Sequence, residues 1–170
     1  MARAVLISIH PEWVNRIISG EKNVEIRKTR PNLGTPFKCY IYETQGKSDT
    51  PWIDEDGHMI FRGRGKIVAE FTCDNITEDT MGENCDILCV NGCMGLDQIK
   101  SYGGNKKLYG WHISELKIYD TPKLLGEFKG LCKVEADCGA CPYYNYTKMD
   151  CGGRTVKHPP QSWCYVEDLA

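Results

Sequence analysis

Three residues in one short stretch, Lys22, Glu25 and Arg27, are of types that do chemistry together. Val24 and Ile26 alternate with Glu25 and Arg27 across residues 23–28, the pattern of a half-buried strand. Glu25 and Arg27 would then share one face, with Lys22 in the turn before it. Two cations beside one carboxylate can hold a phosphate or a sugar–phosphate backbone. Glu25 could orient Lys22 or accept a proton from a base amino group. A surface ion-pair ladder would use the same residues. Lys28 and Arg30 extend the basic face. Arg62, Arg64 and Lys66 form a second patch, RGRGK, read either as a phosphate contact or as a solvated hairpin turn. Its G-x-G lacks both the GK[ST] ending and a following helix, so it is not a P-loop.

The cysteines are the second chemical feature. There are ten in 170 residues. Four of them, Cys132, Cys138, Cys141 and Cys151, fall in a Gly-rich stretch with the spacing C-x5-C-x2-C-x9-C. Four thiolates in one loop can close a tetrahedral structural zinc site, which would stabilise a segment poor in apolar residues. Free thiols are the alternative. CGAC has no βαβ context around it, so a thioredoxin-like motif is rejected. Cys85, Cys89 and Cys93 recur at i, i+4, i+8; on a helix they would share a face, for metal or for packing as small apolar groups. Cys39, Cys73 and Cys164 lie in strand-like runs and read as buried.

Trp13, Trp52, Trp111 and Trp163 could stack bases, although packing in the core is the ordinary role of tryptophan. Trp52, in a polar stretch, is expected to be the most exposed. His112, beside Trp111 in a strand, reads as a satisfied core histidine more readily than as a catalyst. Ser162 has no His/Asp signature around it, so no triad is assigned.

The elements that must position these groups are short. The apolar run 4–9 predicts a buried strand. Pro11 opens a helix over 11–19 with Val14, Ile17 and Ile18 on one face, ended by Gly20. Further strands are expected at 23–28, 38–43, 67–72, 109–114, 116–119 and 162–166. Residues 45–58 read as a loop, 96–102 as one or two helical turns closed by Gly103-Gly104, and 124–128 as a connector. The span 74–107 is the least regular. Nothing in this order alternates strand with long helix, so the fold class is α+β: a small mixed β-barrel with short capping helices. Residues 130–158 stand apart as a Cys-rich insert in a domain formed by 1–129 and 159–170.

Length suits one domain with an appendage. No apolar run approaches the roughly 20 residues that span a bilayer, so no membrane role is expected. The N-terminal MARAVLISIHPEW lacks a cleavage pattern and reads as a strand, which points to a cytoplasmic chain with reduced thiols. The net charge of −2 is unevenly spread: residues 1–40 carry seven Lys/Arg against three acids, and the remainder is acidic. A basic segment on an acidic body is compatible with a local anion or nucleic-acid site.

The stretch SIHPEWVNRIISGEKNVEIRKTRP resembles the opening of ASCH domains, whose hallmark is a helix ending in Gly and then G-x-K-x-x-E-x-R, here Gly20, Lys22, Glu25 and Arg27. The blocks 40–44, 65–71, 108–114 with 116–128, and 159–167 also look like the bacterial and phage members, in the family's order. The resemblance implies a PUA-like fold, a small β-barrel with a helix beside a cleft, and an RNA or nucleotide partner contacted by Lys22, Glu25, Arg27, Lys28 and Arg30. It leaves activity open. Some members are RNA-binding modules and some are ribonucleases. One subgroup hydrolyses acetylcytidine with a Lys, a Thr three residues on, and a distant Glu. Lys22 matches the first, but Glu25 stands where that Thr would be, and only Glu78 and Glu83 are candidates for the last. On that alternative Lys22 and Glu25 would be catalytic. A protein-interaction adaptor using the Cys-rich insert is a third reading.

Overall fold

A computed structural model describes the chain apart from residues 1, 54–56, 58, 80–84, 133–140, 142–143, 146, 148–149, 152–153 and 170, and apart from the side chains of 47–53, 60–62, 85–86, 145 and 150. The first strand, β1 (Arg3–Ile9), is followed by α1 (Pro11–Ile18), β2 (Val24–Arg27) and β3 (Phe37–Glu43). A hairpin, β4 (Lys47–Ile53) and β5 (Met59–Arg62), leads to β6 (Lys66–Cys73) and β7 (Ile76–Asp79). Helices α2 (Cys85–Gly92) and α3 (Leu96–Gly103) precede β8 (Leu108–His112) and β9 (Ser114–Lys123). A 3-10 turn at Leu125–Glu127, a small hairpin β10 (Tyr144–Asn145) and β11 (Asp150–Cys151), and β12 (Trp163–Glu167) complete the order.

These strands form a five-stranded sheet, β12-β1-β3-β6-β9, and a three-stranded sheet, β2-β8-β7. In the larger sheet β1 and β3 run parallel and the other pairs antiparallel. The α+β class is as expected. Beside the two hairpins, the described pairings leave these two sheets separate and do not close a ring; side chains of both share one core.

Why β1 reads as a continuous apolar run is plain from its two faces. Val5, Ile7 and Ile9 enter a core with Val14 and Ile17 of α1, Ile41 of β3, Phe71 of β6 and Trp111 of β8. Ala4 and Leu6 point the other way, into a second core with Tyr40, Ile67, Phe128 and Val166. Successive side chains alternate faces, and with both faces covered no polar position is needed. A third cluster, Val24, Ile26, Leu88, Ile99 and Leu108, seats the two helices on the smaller sheet.

Several expectations need correction. Residues 45–58, expected as a loop, carry β4 of the β4–β5 hairpin. Its register shifts between Lys47 and Trp52, and Pro51 with several acids hides its strand character. The irregular span 74–107 contains β7 and α2. Of the three cysteines at i, i+4, i+8, Cys85 and Cys89 fall in α2, whereas Cys93 lies beyond its end at Gly92, at φ 55°. His112 is neither core nor cleft but half-exposed, with Nδ1 2.6 Å from Asp74. Among the described residues no helix is long and apolar enough to cross a membrane.

Candidate functional site

The site grows from the turn between α1 and β2. Gly20 ends the helix at φ +80°, a left-handed conformation natural to glycine. The Lys22 amide then donates to Arg16 O at 2.8 Å, folding the turn back on the helix. Strand β2 follows. Val24 and Ile26 sink into the helical cluster, so Glu25 and Arg27 face the opposite way. That face is not solvent: all four strand residues are buried. The alternation was legible, but the polar face is the floor of a cleft, not the outside of the protein.

Lys22, Glu25 and Arg27 are only 2%, 6% and 8% exposed. Glu25 bridges the two cations, Oε2 lying 3.4 Å from Lys22 Nζ and Oε1 2.9 Å from Arg27 Nη2. Lys22 Nζ also donates to Gly92 O at 2.7 Å, tying the floor to the end of α2. Arg27 Nη2 donates to Ser8 O at 2.6 Å, and Nη1 to Ser162 Oγ at 3.3 Å, tying it to β1 and to the approach to β12. Its Nε is buried with no hydrogen-bond partner. Burial pushes the Lys22 amine below the ordinary lysine value, against the opposing pull of Glu25.

Above this floor opens a cleft of about 900 Å³. Trp13 walls one side, its ring centroid 5.2 Å from Lys22 Nζ. Tyr102 and Lys106 line it from α3 and the turn beyond. Lys28 stands at the mouth with Nζ 4.6 Å over the Tyr102 ring. Thr44 and Gln45, past the end of β3, line it too. The cleft thus holds four lysine or arginine cations and one carboxylate, with aromatic walls. Such a lining suits an anion that carries a flat ring.

The structure brings Lys22, Glu25, Arg27 and Lys28 together and leaves Arg30 outside, paired with Glu78 at 3.2 Å. Glu78, one candidate for a distant catalytic Glu, is held by Arg30 and Lys107 and does not line the cleft. The other, Glu83, lies outside the described residues. Tyr102, Lys106, Thr44 and Gln45 were missed, because they come from segments with no motif and meet only in the fold. Trp13 lines the cleft, Trp111 is fully buried, and Trp163 donates from Nε1 to Thr29 Oγ1 at 3.0 Å. In the RGRGK stretch, Arg64 is turned onto Glu43, its amide 3.2 Å and its Nε 3.7 Å from Oε2.

Of the four cysteines expected to hold zinc, Cys141 and Cys151 are buried and Cys132 is exposed. Cys138 lies outside the described residues. Among those described, no three groups of metal-ligating type come together.

The model of the ASCH domain matches residues 7–128. The chain belongs to the ASCH-domain family. The fold agrees. ASCH from Zymomonas mobilis has a TM-score of 0.61 at 16% identity, over 97% of this chain and 88% of that one. A single-residue variant of the same bacterial protein gives 0.57 at 15%, over 97% and 91%. At such identities the likeness concerns the fold alone. No curated protein matches this ASCH chain. The motif Lys22, Glu25 and Arg27 lies inside the matched residues, whereas the cysteines from 132 to 151 lie beyond them.

Proposed function

We propose that this ASCH domain binds RNA by admitting one unpaired nucleotide into the cleft. The observation that carries the reading is the buried Lys22–Glu25–Arg27 set. Sealing two cations with a single carboxylate away from water is unfavourable for folding, and such arrangements concentrate at sites of function. A phosphate or an electron-rich base edge entering above the floor would complete its charge balance. The Trp13 and Tyr102 walls supply faces on which a base can stack, and Lys28 and Lys106 stand at the mouth for phosphate. The test is binding of a labelled single-stranded RNA hexamer and of nucleoside monophosphates, followed by fluorescence anisotropy and calorimetry. Lys22→Met keeps the volume and removes the charge; it is expected to weaken both by about 30-fold or more. Unchanged affinity in a folded Lys22→Met protein would end this reading.

A second reading, hydrolysis of a modified nucleoside or of RNA, is favoured by one observation. Burial lowers the Lys22 amine below the ordinary lysine value, the direction that a lysine base requires. Release of acetate from acetylcytidine, or cleavage of the labelled RNA, separates it from binding alone.

For the Cys-rich segment we propose a structural zinc. The support is two buried thiols at one small hairpin: Cys151 of β11 pairs opposite Tyr144, and Cys141 precedes β10 and accepts the Tyr144 amide on its carbonyl oxygen at 3.1 Å. Cys132 and Cys138 would supply the other ligands. Elemental analysis of freshly purified protein should find about one zinc per chain, lost in Cys141→Ser/Cys151→Ser. Less than about half an equivalent would rule the site out, since a four-thiolate zinc is held tightly.

A further inference from the structure

Outside the cleft, the end of the three-stranded sheet gathers cations that the cleft does not use. Arg27, the last residue of β2, pairs with Tyr109 near the start of β8. On the other side of β8, Glu78 pairs with Tyr109 and Asp79 with Leu108. Arg30 follows the cleft residue Lys28 by two positions and Lys107 follows the cleft residue Lys106 by one, and both reach Glu78. Both outer cations are held by one carboxylate: Arg30 Nη1 is 3.2 Å from Glu78 Oε1, and Lys107 Nζ is 2.8 Å from Oε2. All three side chains are 40–48% exposed, and Asp79 is buried behind them. The result is an exposed shelf just past the cleft residues Lys28 and Lys106, with two cations on one exposed carboxylate.

We propose that this shelf is a phosphate track, so that the ligand is a strand of RNA and not a free nucleotide. One nucleotide enters the cleft, and the next two phosphates lie over Arg30 and Lys107. Glu78 fixes these two side chains in place before binding and weakens the local positive potential. Single-stranded RNA is the occupant the geometry favours over an acidic polypeptide, because the shelf cations follow directly on Lys28 and Lys106 of a cleft walled by aromatic rings. An acidic chain has no flat group to place between Trp13 and Tyr102. The proposal rests on the cleft being the nucleotide site, and the experiment keeps the two apart.

The probes are a fluorescein-labelled random RNA hexamer and the four nucleoside monophosphates. Arg30→Gln/Lys107→Gln changes only exposed side chains. At about 50 mM salt it is expected to weaken hexamer binding about tenfold and to reduce the log–log salt slope by about 1.4, two phosphates at roughly 0.7 each. Monophosphate binding should not change. Glu78→Gln should tighten the hexamer by about threefold, as expected for loss of one nearby negative charge in water. If the double variant keeps the wild-type hexamer affinity and salt slope while monophosphates still bind, the track is refuted and the cleft stands. If wild-type protein binds neither probe, the cleft reading fails and the track with it. If polyglutamate displaces the hexamer at equal charge concentration, RNA is the wrong occupant.

Discussion

Glu25→Ala is expected to destabilise the fold by about 3–5 kcal/mol, the range seen when one partner of a buried ion pair is removed, and to lower the melting temperature by roughly 10 °C for a chain of this size. Both carboxylate oxygens of Glu25 are engaged, one with Lys22 and one with Arg27, and all three side chains are at most 10% exposed. Without Glu25 two cations face each other under the cleft. Their responses differ. Arg27 cannot lose its proton and keeps only Ser8 O and Ser162 Oγ. Lys22 can. Burial already lowers its pKa, and Glu25 is the leading influence that raises it. The variant's folded Lys22 pKa therefore drops further below the unfolded value. Between those two values the unfolded chain binds more protons, so stability must rise with pH. A thermal melt series from neutral to about pH 10 should show the variant gaining on the wild type as pH increases. Glu25→Gln, which keeps the shape and can still accept hydrogen bonds, should lose less. A Glu25→Ala protein as stable as wild type at neutral pH would mean that the Lys22–Glu25–Arg27 pairs contribute nothing net to the fold.

The same residues show how far the sequence could be read. Pro11, the 14/17/18 stripe and Gly20 obey local rules, and α1 with its left-handed stop appears where those rules place it. The alternation of Val24 and Ile26 with Glu25 and Arg27 is local as well, and β2 forms as a strand. What periodicity cannot say is whether a polar face meets water or a cleft, because that depends on Ser8, Gly92 and Ser162, up to 135 residues away along the chain. Helix α2 escaped for a different reason. CDILCVNG is apolar on every side, so it has no 3.6-residue stripe to read. Strand β7, ITED, is short and polar, and it exists because β8 offers it a partner. The motif itself was legible only as a resemblance, and the fold turned its three residues into a connected, buried group. Tyr102 and Lys106 had no such signal and enter the site because α3 packs on the smaller sheet.

Gly63→Ala is expected to be as damaging as the loss of Glu25, from a position that carries no charge. A Cβ at residue 63 would sit 1.8 Å from Thr44 O and 2.7 Å from Pro11 Cγ, well inside the 3.0 Å that real Cβ atoms respect. Neither neighbour can rotate away. Thr44 is fixed by its backbone N–H, which donates to Ile9 O at 2.9 Å, and Pro11 is the rigid first residue of α1. The chain at 63 must move instead, taking Arg64 with it. Glu43 is 1% exposed, its carboxyl pushed up by burial, and it accepts the Arg64 amide at 3.2 Å. Displacement removes that donor from a buried acid. Overpacking and the stranded carboxyl together imply a loss of about 3 kcal/mol or more. Since Thr44 and Gln45 line the cleft, ligand affinity should fall as well, although no residue of the Lys22–Glu25–Arg27 group has changed. Gly34→Ala is the control: nothing lies within 4 Å of its Cβ, so the protein should melt as wild type. Hydrogen exchange should localise the Gly63→Ala damage to residues 43–46 and 63–66. If Gly63→Ala and Gly34→Ala melt alike, the close approach of these two segments is not a feature of the native fold. The cleft wall at Thr44 and Gln45 would then need another anchor.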